Sequence, residues 1–62
     1  MKMYVYEIKT HDPETGKFEA EQMPYTAPDA IAAQSALMEH LRHVTAEGKT
    51  IIGVELMDAY TL

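Results

Sequence analysis

The sequence predicts a small α+β domain of order ββαβ, in which a three-stranded antiparallel sheet, order 2-1-3, carries one helix packed on one face. Two observations lead to this fold class. Three segments alternate apolar and polar residues as strands do, and one segment between the second and third has the spacing of an amphipathic helix. The 62 residues contain no repeat and no long linker, so one domain over residues 1–62 accounts for them.

The first strand is predicted over residues 3–10, which are rich in aromatic and β-branched types. Tyr4, Tyr6 and Ile8 point to one side, and the residues between them point to the other. The following segment, residues 12–16, reads Asp-Pro-Glu-Thr-Gly, in which the Asp bonds nearby N–H groups, the Pro presets φ and the Gly accepts a positive φ. This segment predicts a hairpin turn.

The second strand is predicted over residues 17–23. Its alternation is interpreted as placing Phe18 and Ala20 towards the core and Glu19 and Glu21 towards the other face. Pro24 has no N–H to donate to a sheet ladder, so the strand is expected to end before it.

A helix is predicted to follow and to run as far as Gly48, which supplies a left-handed stop. Thr26 and Asp29 are spaced as in a capping box, and Pro28 lies where the first-turn N–H groups have no partner. The predicted apolar stripe consists of Ala30, Ile31, Leu37, Met38, Leu41 and Val44.

The third strand is predicted from Lys49 to about Met57, where alternation returns. The simplest packing without crossed connections places the first strand in the centre, with antiparallel neighbours on both sides. The side chains expected to meet the helix are Tyr4, Tyr6, Ile8, Phe18, Ile52, Val54 and Leu56.

The other sheet face has no predicted cover, and we call it the open face. The expected register places four carboxylates on it, with Lys9 as the lone counter-charge and with apolar Met3, Val5 and Met57 between them. These carboxylates are Glu7, Glu19, Glu21 and Glu55.

Three interpretations of the open face follow. It is a solvated sheet face with incidental acids, as antiparallel sheets commonly have. It is a surface for a basic partner, bound by Glu7, Glu19, Glu21, Glu55 and the adaptable Met57. Or it is a self-interface, in which two thin sheets stack or pair edges to form a homodimer.

Composition excludes several other classes of function. The net charge of −5 repels phosphate backbones, so direct binding of DNA or RNA is not expected. The absence of cysteine removes disulfides, thiolate metal sites and thiol nucleophiles, which fits the cytoplasm. The first seven residues already include charged side chains, so neither a signal peptide nor a membrane span is expected there.

No catalytic arrangement is apparent, and no enzyme activity, cofactor or metal is predicted. Glu39, His40 and His43 have helical spacing, but they lack the i, i+4 histidine pair of the metalloprotease signature. Ser35 lies mid-helix without a Gly-x-Ser-x-Gly elbow. Exposed carboxylates on a flat sheet have nothing to raise a pKa for general-acid catalysis.

The pattern resembles that of many small phage and bacterial proteins. The resemblance rests on the Tyr-rich first strand, the turn at residues 12–16, Thr-x-Pro-Asp-Ala-Ile at residues 26–31 and Gly-Lys-Thr-Ile-Ile-Gly-Val at residues 48–54. An acidic, cysteine-free chain of this size is similar to small phage-encoded inhibitors of the anti-CRISPR type. That resemblance implies a host-cytoplasmic protein that blocks the basic, nucleic-acid-binding surface of a larger complex. The chain also resembles antitoxins with a ββαβ core. The alternative function is a homodimeric structural or regulatory module, antitoxin-like or a phage accessory protein, with no inhibitory role.

Overall fold

A computed structural model describes residues 1–62, and it confirms the α+β class and the ββαβ order. The strands β1 (Lys2–His11), β2 (Phe18–Ala27) and β3 (Thr50–Thr61) form one antiparallel sheet in the order β2-β1-β3. The helix α1 (Ala30–Ala46) crosses one face of this sheet.

The β1–β2 hairpin closes where the turn was predicted. The Asp12 carboxylate accepts a hydrogen bond from the N–H of Glu14 at 2.9 Å, and the Asp12 carbonyl accepts one from Gly16 at 2.7 Å. Gly16 has a φ of +75°, a region that glycine enters without the steric cost of a side chain. The Asp12 N–H then bonds the carbonyl of Lys17, so these two residues face each other at the end of the ladder.

This turn fixes a β2 register opposite to the predicted one. Tyr6 pairs with Met23 and Ile8 with Glu21, whereas Phe18 pairs with His11, a residue of the open face. The prediction that Phe18 and Ala20 face the helix is therefore wrong. Because four residues separate Asp12 from Lys17, even-numbered residues of β1 oppose odd-numbered residues of β2. The predicted register differs from this one by one residue, and a one-residue difference moves every β2 side chain to the other face of the sheet.

The boundary between β2 and α1 also differs from the prediction. β2 continues through Pro24 to Ala27, which is compatible with its position at the edge of the sheet, where a missing N–H is tolerated. The N-cap of α1 is Asp29, whose side chain accepts a hydrogen bond from the N–H of Ala32 at 2.9 Å. Thr26 lies in the strand and forms no cap.

β3 extends past the predicted end at Met57 and contains two irregularities. The register shifts between Val5 and Tyr6 and again between Lys9 and Thr10 of β1. Met57 and Ile52 are the extra β3 residues at these shifts and oppose no β1 residue. The prediction that Ile52 packs under the helix is therefore wrong, and it is exposed.

The core is thin and lies between α1 and the middle of the sheet. Eight of the 62 residues are buried. The main hydrophobic cluster consists of Tyr4, Tyr6, Ile8, Ala27, Ala33 and Leu37. Ala30, Ile31 and Met38, which were predicted to lie in the buried stripe, are exposed, as are Val54 and Leu56 of β3.

Candidate functional site

The four carboxylates predicted to share the open face lie on two different faces. Glu7 and Glu55 lie on the open face and oppose each other across β1 and β3. Glu21 opposes the buried Ile8, and Glu19 opposes the buried Thr10, so both lie on the helix-covered face at its β2 border. The expectation of one four-carboxylate patch is wrong, because the hairpin register turns Glu19 and Glu21 away from it.

Glu7 and Glu55 form the centre of a smaller acidic site on the open face. The Glu7 side chain is 20% exposed on the central strand, and its carboxylate lies 3.8 Å from the Lys9 ammonium. Lys9 opposes Gly53, and this glycine leaves a shallow depression of about 260 Å³ beside the two glutamates. Like charges that oppose each other on a sheet destabilise it, so the pair costs the fold free energy.

Asp58 belongs to the same face and was not among the predicted site residues. It opposes Val5, and its carboxylate accepts a hydrogen bond from the N–H of Ala59 at 2.9 Å. The bulge at Met57 places Asp58 on this face, because the extra residue shifts the alternation of β3 by one position. The apolar–polar pattern of the residues before Met57 does not reveal this shift. Met57, a predicted partner-binding residue, occupies the bulge and is exposed.

Apolar side chains lie towards both ends of this face. Phe18 is 72% exposed and its ring lies 4.6 Å from that of His11, centroid to centroid. Met3 and Tyr60 oppose each other near the other end of the face. The open face therefore combines carboxylates with accessible aromatic and methionine side chains.

A second polar site lies on the opposite face, in a cleft of about 550 Å³ between α1 and β2. Its carboxylates already have partners within the chain. The Lys49 ammonium donates a hydrogen bond to Glu19 at 3.3 Å, and this bond, with the charge of Glu19, raises the pKa of Lys49. His40 Nε2 lies 3.6 Å from a Glu21 oxygen.

The three helix residues considered for metal binding do not converge. His40 points to Glu21 of β2, whereas His43 Nε2 lies 3.8 Å from a Glu39 oxygen on the exposed side. Glu39 also pairs with Arg42 at 3.5 Å. No group of three histidine, aspartate or glutamate side chains is arranged to hold a metal ion.

The third notable surface is apolar and runs along the β3 edge and the adjacent side of α1. We call it the β3 flank. Met38, Leu41 and Ile51 line a shallow groove of about 270 Å³ on it. Its exposed large apolar side chains are Ile31, Met38, Ile52, Val54, Leu56 and Met57.

The helix does not have the length and hydropathy that a membrane-spanning helix requires. Comparisons with protein-family models, with curated proteins and with solved structures find no match to this chain.

Proposed function

We propose that this chain is a non-enzymatic protein-binding module whose open face occupies a basic surface of a larger partner. The observation that carries the proposal is the pairing of Glu7 with Glu55 across the middle of an uncovered sheet face. This pair lowers the stability of the isolated fold, and a cationic partner would relieve the repulsion.

The charge balance of the whole chain supports the same class of partner. Ten acidic residues stand against five basic ones, and Lys9 is the only basic side chain close to the glutamate pair. Glu19 and Glu21 differ from this pair, because Glu19 accepts a hydrogen bond from the Lys49 ammonium and Glu21 lies 3.6 Å from His40 Nε2. The open face thus holds acidic groups that the chain itself leaves incompletely compensated.

The surrounding side chains suit a protein surface better than a small ligand. The depression beside Glu7 and Glu55 is shallow, and the accessible Phe18 and Tyr60 lie towards the two ends of the same sheet, with the accessible Met57 on β3 between Glu55 and Tyr60. Aromatic and methionine side chains contribute contact area in protein interfaces, and methionine adapts to irregular shapes. Carboxylates among them would pair with Lys or Arg and speed the encounter.

The proposed partner is a basic surface that otherwise binds nucleic acid, as the resemblance to small phage-encoded inhibitors implies. Such a surface is shaped to neutralise phosphates with Lys and Arg. An acidic face set on a flat sheet would compete for the same cations. Inhibition would then follow from occlusion, with no chemical step.

A titration with a synthetic oligolysine peptide, followed by NMR of the ¹⁵N-labelled chain, tests the acidic face. We expect shift changes centred on Glu7, Glu55 and Asp58, and weaker binding at high salt, because exposed charges are screened within about 8 Å at physiological ionic strength. Shifts centred on the α1–β2 cleft instead, or equal binding of an oligoglutamate peptide, would contradict the proposal.

A matched pair of variants separates this face from net charge. Glu7→Lys with Glu55→Lys changes the open face, and Glu14→Lys with Glu47→Lys changes the turn and the end of the helix. Each replacement removes one negative charge and adds one positive charge, so both double variants change the net charge from −5 to −1. We expect only the first double variant to lose binding of the oligolysine peptide. In a pull-down from bacterial lysate, only this variant should also fail to capture a protein that free DNA displaces from the natural chain.

A second candidate function, a homodimeric regulatory or accessory module, is favoured by a different observation, the exposed apolar β3 flank. It requires no basic partner. If the chain self-associates and its titration with oligolysine gives no localised NMR shift changes, only this second candidate fits.

A further inference from the structure

We propose that two copies of this chain associate along β3, in antiparallel pairing about a two-fold axis perpendicular to the sheet, to form one six-stranded sheet. The proposal goes beyond the acidic face and does not depend on it. It assigns the β3 flank as the interface and a second copy of the chain as the occupant.

The two edges of the sheet differ in a way that selects β3. β2 contains Pro24, and its charged Glu19 and Glu21 point to the border with α1, where Glu19 pairs with Lys49 and Glu21 lies beside His40. Proline and charge are two of the features by which natural edge strands avoid pairing with other chains, and bulges, of which β3 has two, are a third. β3 is 12 residues long, contains no proline and exposes five large apolar side chains, Ile52, Val54, Leu56, Met57 and Tyr60.

The symmetry of such a pairing brings matching surfaces together. A two-fold axis perpendicular to the sheet reverses the strand direction and keeps both helices on the same side. α1 packs over β1 through Ala33 and Leu37, so three strand spacings separate the two helices, about 14 Å in all.

That separation exceeds the distance of about 8–10 Å at which helices pack directly. The space between the helices therefore needs side chains from both copies. Ile31 and Met38, which are 76% and 55% exposed, lie seven residues apart on one side of α1. Met38 lines the groove beside Ile51 of β3, so this side of the helix faces the gap. Val54 and Leu56 would form the floor beneath it.

The β3 flank runs along the longest dimension of the molecule. β3 has 12 residues and therefore spans about 40 Å, and the whole Cα trace is 39 Å in its longest direction. A typical stable complex buries about 800 Å² on each partner, which is the area that the dimer would have to cover along this edge and the adjacent side of α1. A chain with eight buried residues gains more from covering this surface than a larger domain would.

Association would leave both open faces on the side away from the helices. The two acidic faces would become halves of one surface, and Glu55 and Asp58 of each copy would lie near the junction. Their repulsion is screened by salt, so the dimer should strengthen as salt rises. Binding of a cationic peptide should weaken under the same change, so failure of one proposal is distinguishable from failure of the other.

Sedimentation equilibrium over a concentration series tests the proposal on the full chain. We expect a species of twice the 7.0 kDa chain mass, with tighter association at high salt. Leu56→Lys on β3 and Met38→Lys on α1 should each weaken association at least tenfold. Phe18→Lys makes the same kind of change at the far edge of the sheet and should leave association unchanged.

Hydrogen exchange gives a second measurement that does not depend on a substitution. β3 amides that do not bond β1 should become protected as the concentration rises, because only edge pairing supplies them with acceptors. A monomer of 7.0 kDa at high micromolar concentration, or a dimer with these amides still unprotected, would overturn the proposal. Circular dichroism of the Met38→Lys variant separates lost association from lost folding, since Met38 is an exposed helix position.

Discussion

Asp29 shows how one side chain sets where α1 begins. Its carboxylate accepts the Ala32 N–H at 2.9 Å, which satisfies one of the donors that the first helical turn leaves without a partner. Asp29→Ala should lower the free energy of unfolding by about 1 kcal/mol. Urea denaturation measures this change, and Asp29→Asn, which keeps an acceptor, should have little effect. Equal losses in both variants would show that the cap does not depend on this hydrogen bond.

Two side chains with a raised pKa lead us to expect a loss of stability at alkaline pH. The hydrogen bond and charge of Glu19 raise the pKa of Lys49 above its ordinary 10.5, and burial, followed by the charge of Glu21, raises the pKa of Tyr25 above 10.0. The folded chain therefore holds these protons more tightly than the unfolded chain. Their contribution to stability is complete below the ordinary pKa values and is lost as pH rises through the folded ones.

The measurement is the urea midpoint at neutral pH and at successive pH values above 10. We expect a falling midpoint in the natural chain and a shallower fall in Lys49→Met, which removes the ammonium that Glu19 holds. Lys17→Met, at an exposed position in the turn, is the control and should follow the natural chain. Identical profiles for all three would contradict a role for Lys49.

At the scale of elements, the pairing of β1 with β3 contains a built-in repulsion. Glu7 opposes Glu55, so Glu55→Lys converts a like-charged cross-strand pair into an opposite one. The variant should be more stable than the natural chain by about 0.5 kcal/mol, measured by thermal or urea unfolding of dilute protein. The same variant should bind oligolysine less tightly. A loss of stability would mean that Lys9 already neutralises the pair.

The strands, the helix and their order were predictable, because alternation and helical spacing are local properties of the chain. The faces of β1 were predictable for the same reason, and Tyr4, Tyr6 and Ile8 are buried as expected. The face of β2 was not, because it depends on how many residues the turn leaves out of the ladder between Asp12 and Lys17. Half of the predicted acidic site was misplaced for this reason alone.

The bulges of β3 were likewise not predictable from its apolar–polar alternation. An extra residue at Met57 carries Asp58 to the open face, and another at Ile52 takes that side chain out of the expected core. Alternation continues on both sides of a bulge, so only the pairing with β1 shows where the phase changes.

At the scale of the whole molecule, stability depends on a few buried side chains. Leu37 is 6% exposed in the main cluster, and Leu37→Ala should cost about 2–5 kcal/mol. A single core of this size supplies only about 3–5 kcal/mol, so the variant should be largely unfolded at room temperature by circular dichroism. Met38→Ala, next to it but exposed, should remain folded in dilute solution. A folded Leu37→Ala variant would mean that stability comes from elsewhere, such as association.

The molecule also has two unlike long sides, and this asymmetry is a property of the assembled sheet. Pro24, the Glu19–Lys49 ion pair and the contact of Glu21 with His40 lie on the β2 side, while the apolar residues of the β3 flank lie on the other. The two sides form only when β2 and β3 pair with the two edges of β1. The binding properties of each side therefore depend on the whole fold and not on one segment.

The sequence by itself determined the fold class, the order of elements, the acidic balance and the buried residues of β1, since each follows from composition or from local periodicity. The tertiary structure decided which carboxylates share a face, which helix residues are covered and which sheet edge is apolar. These depend on register, on bulges and on where α1 rests across the strands. Those are relations between distant segments, and hydrogen bonds such as the one from Asp12 to Lys17 fix them only when the chain has folded.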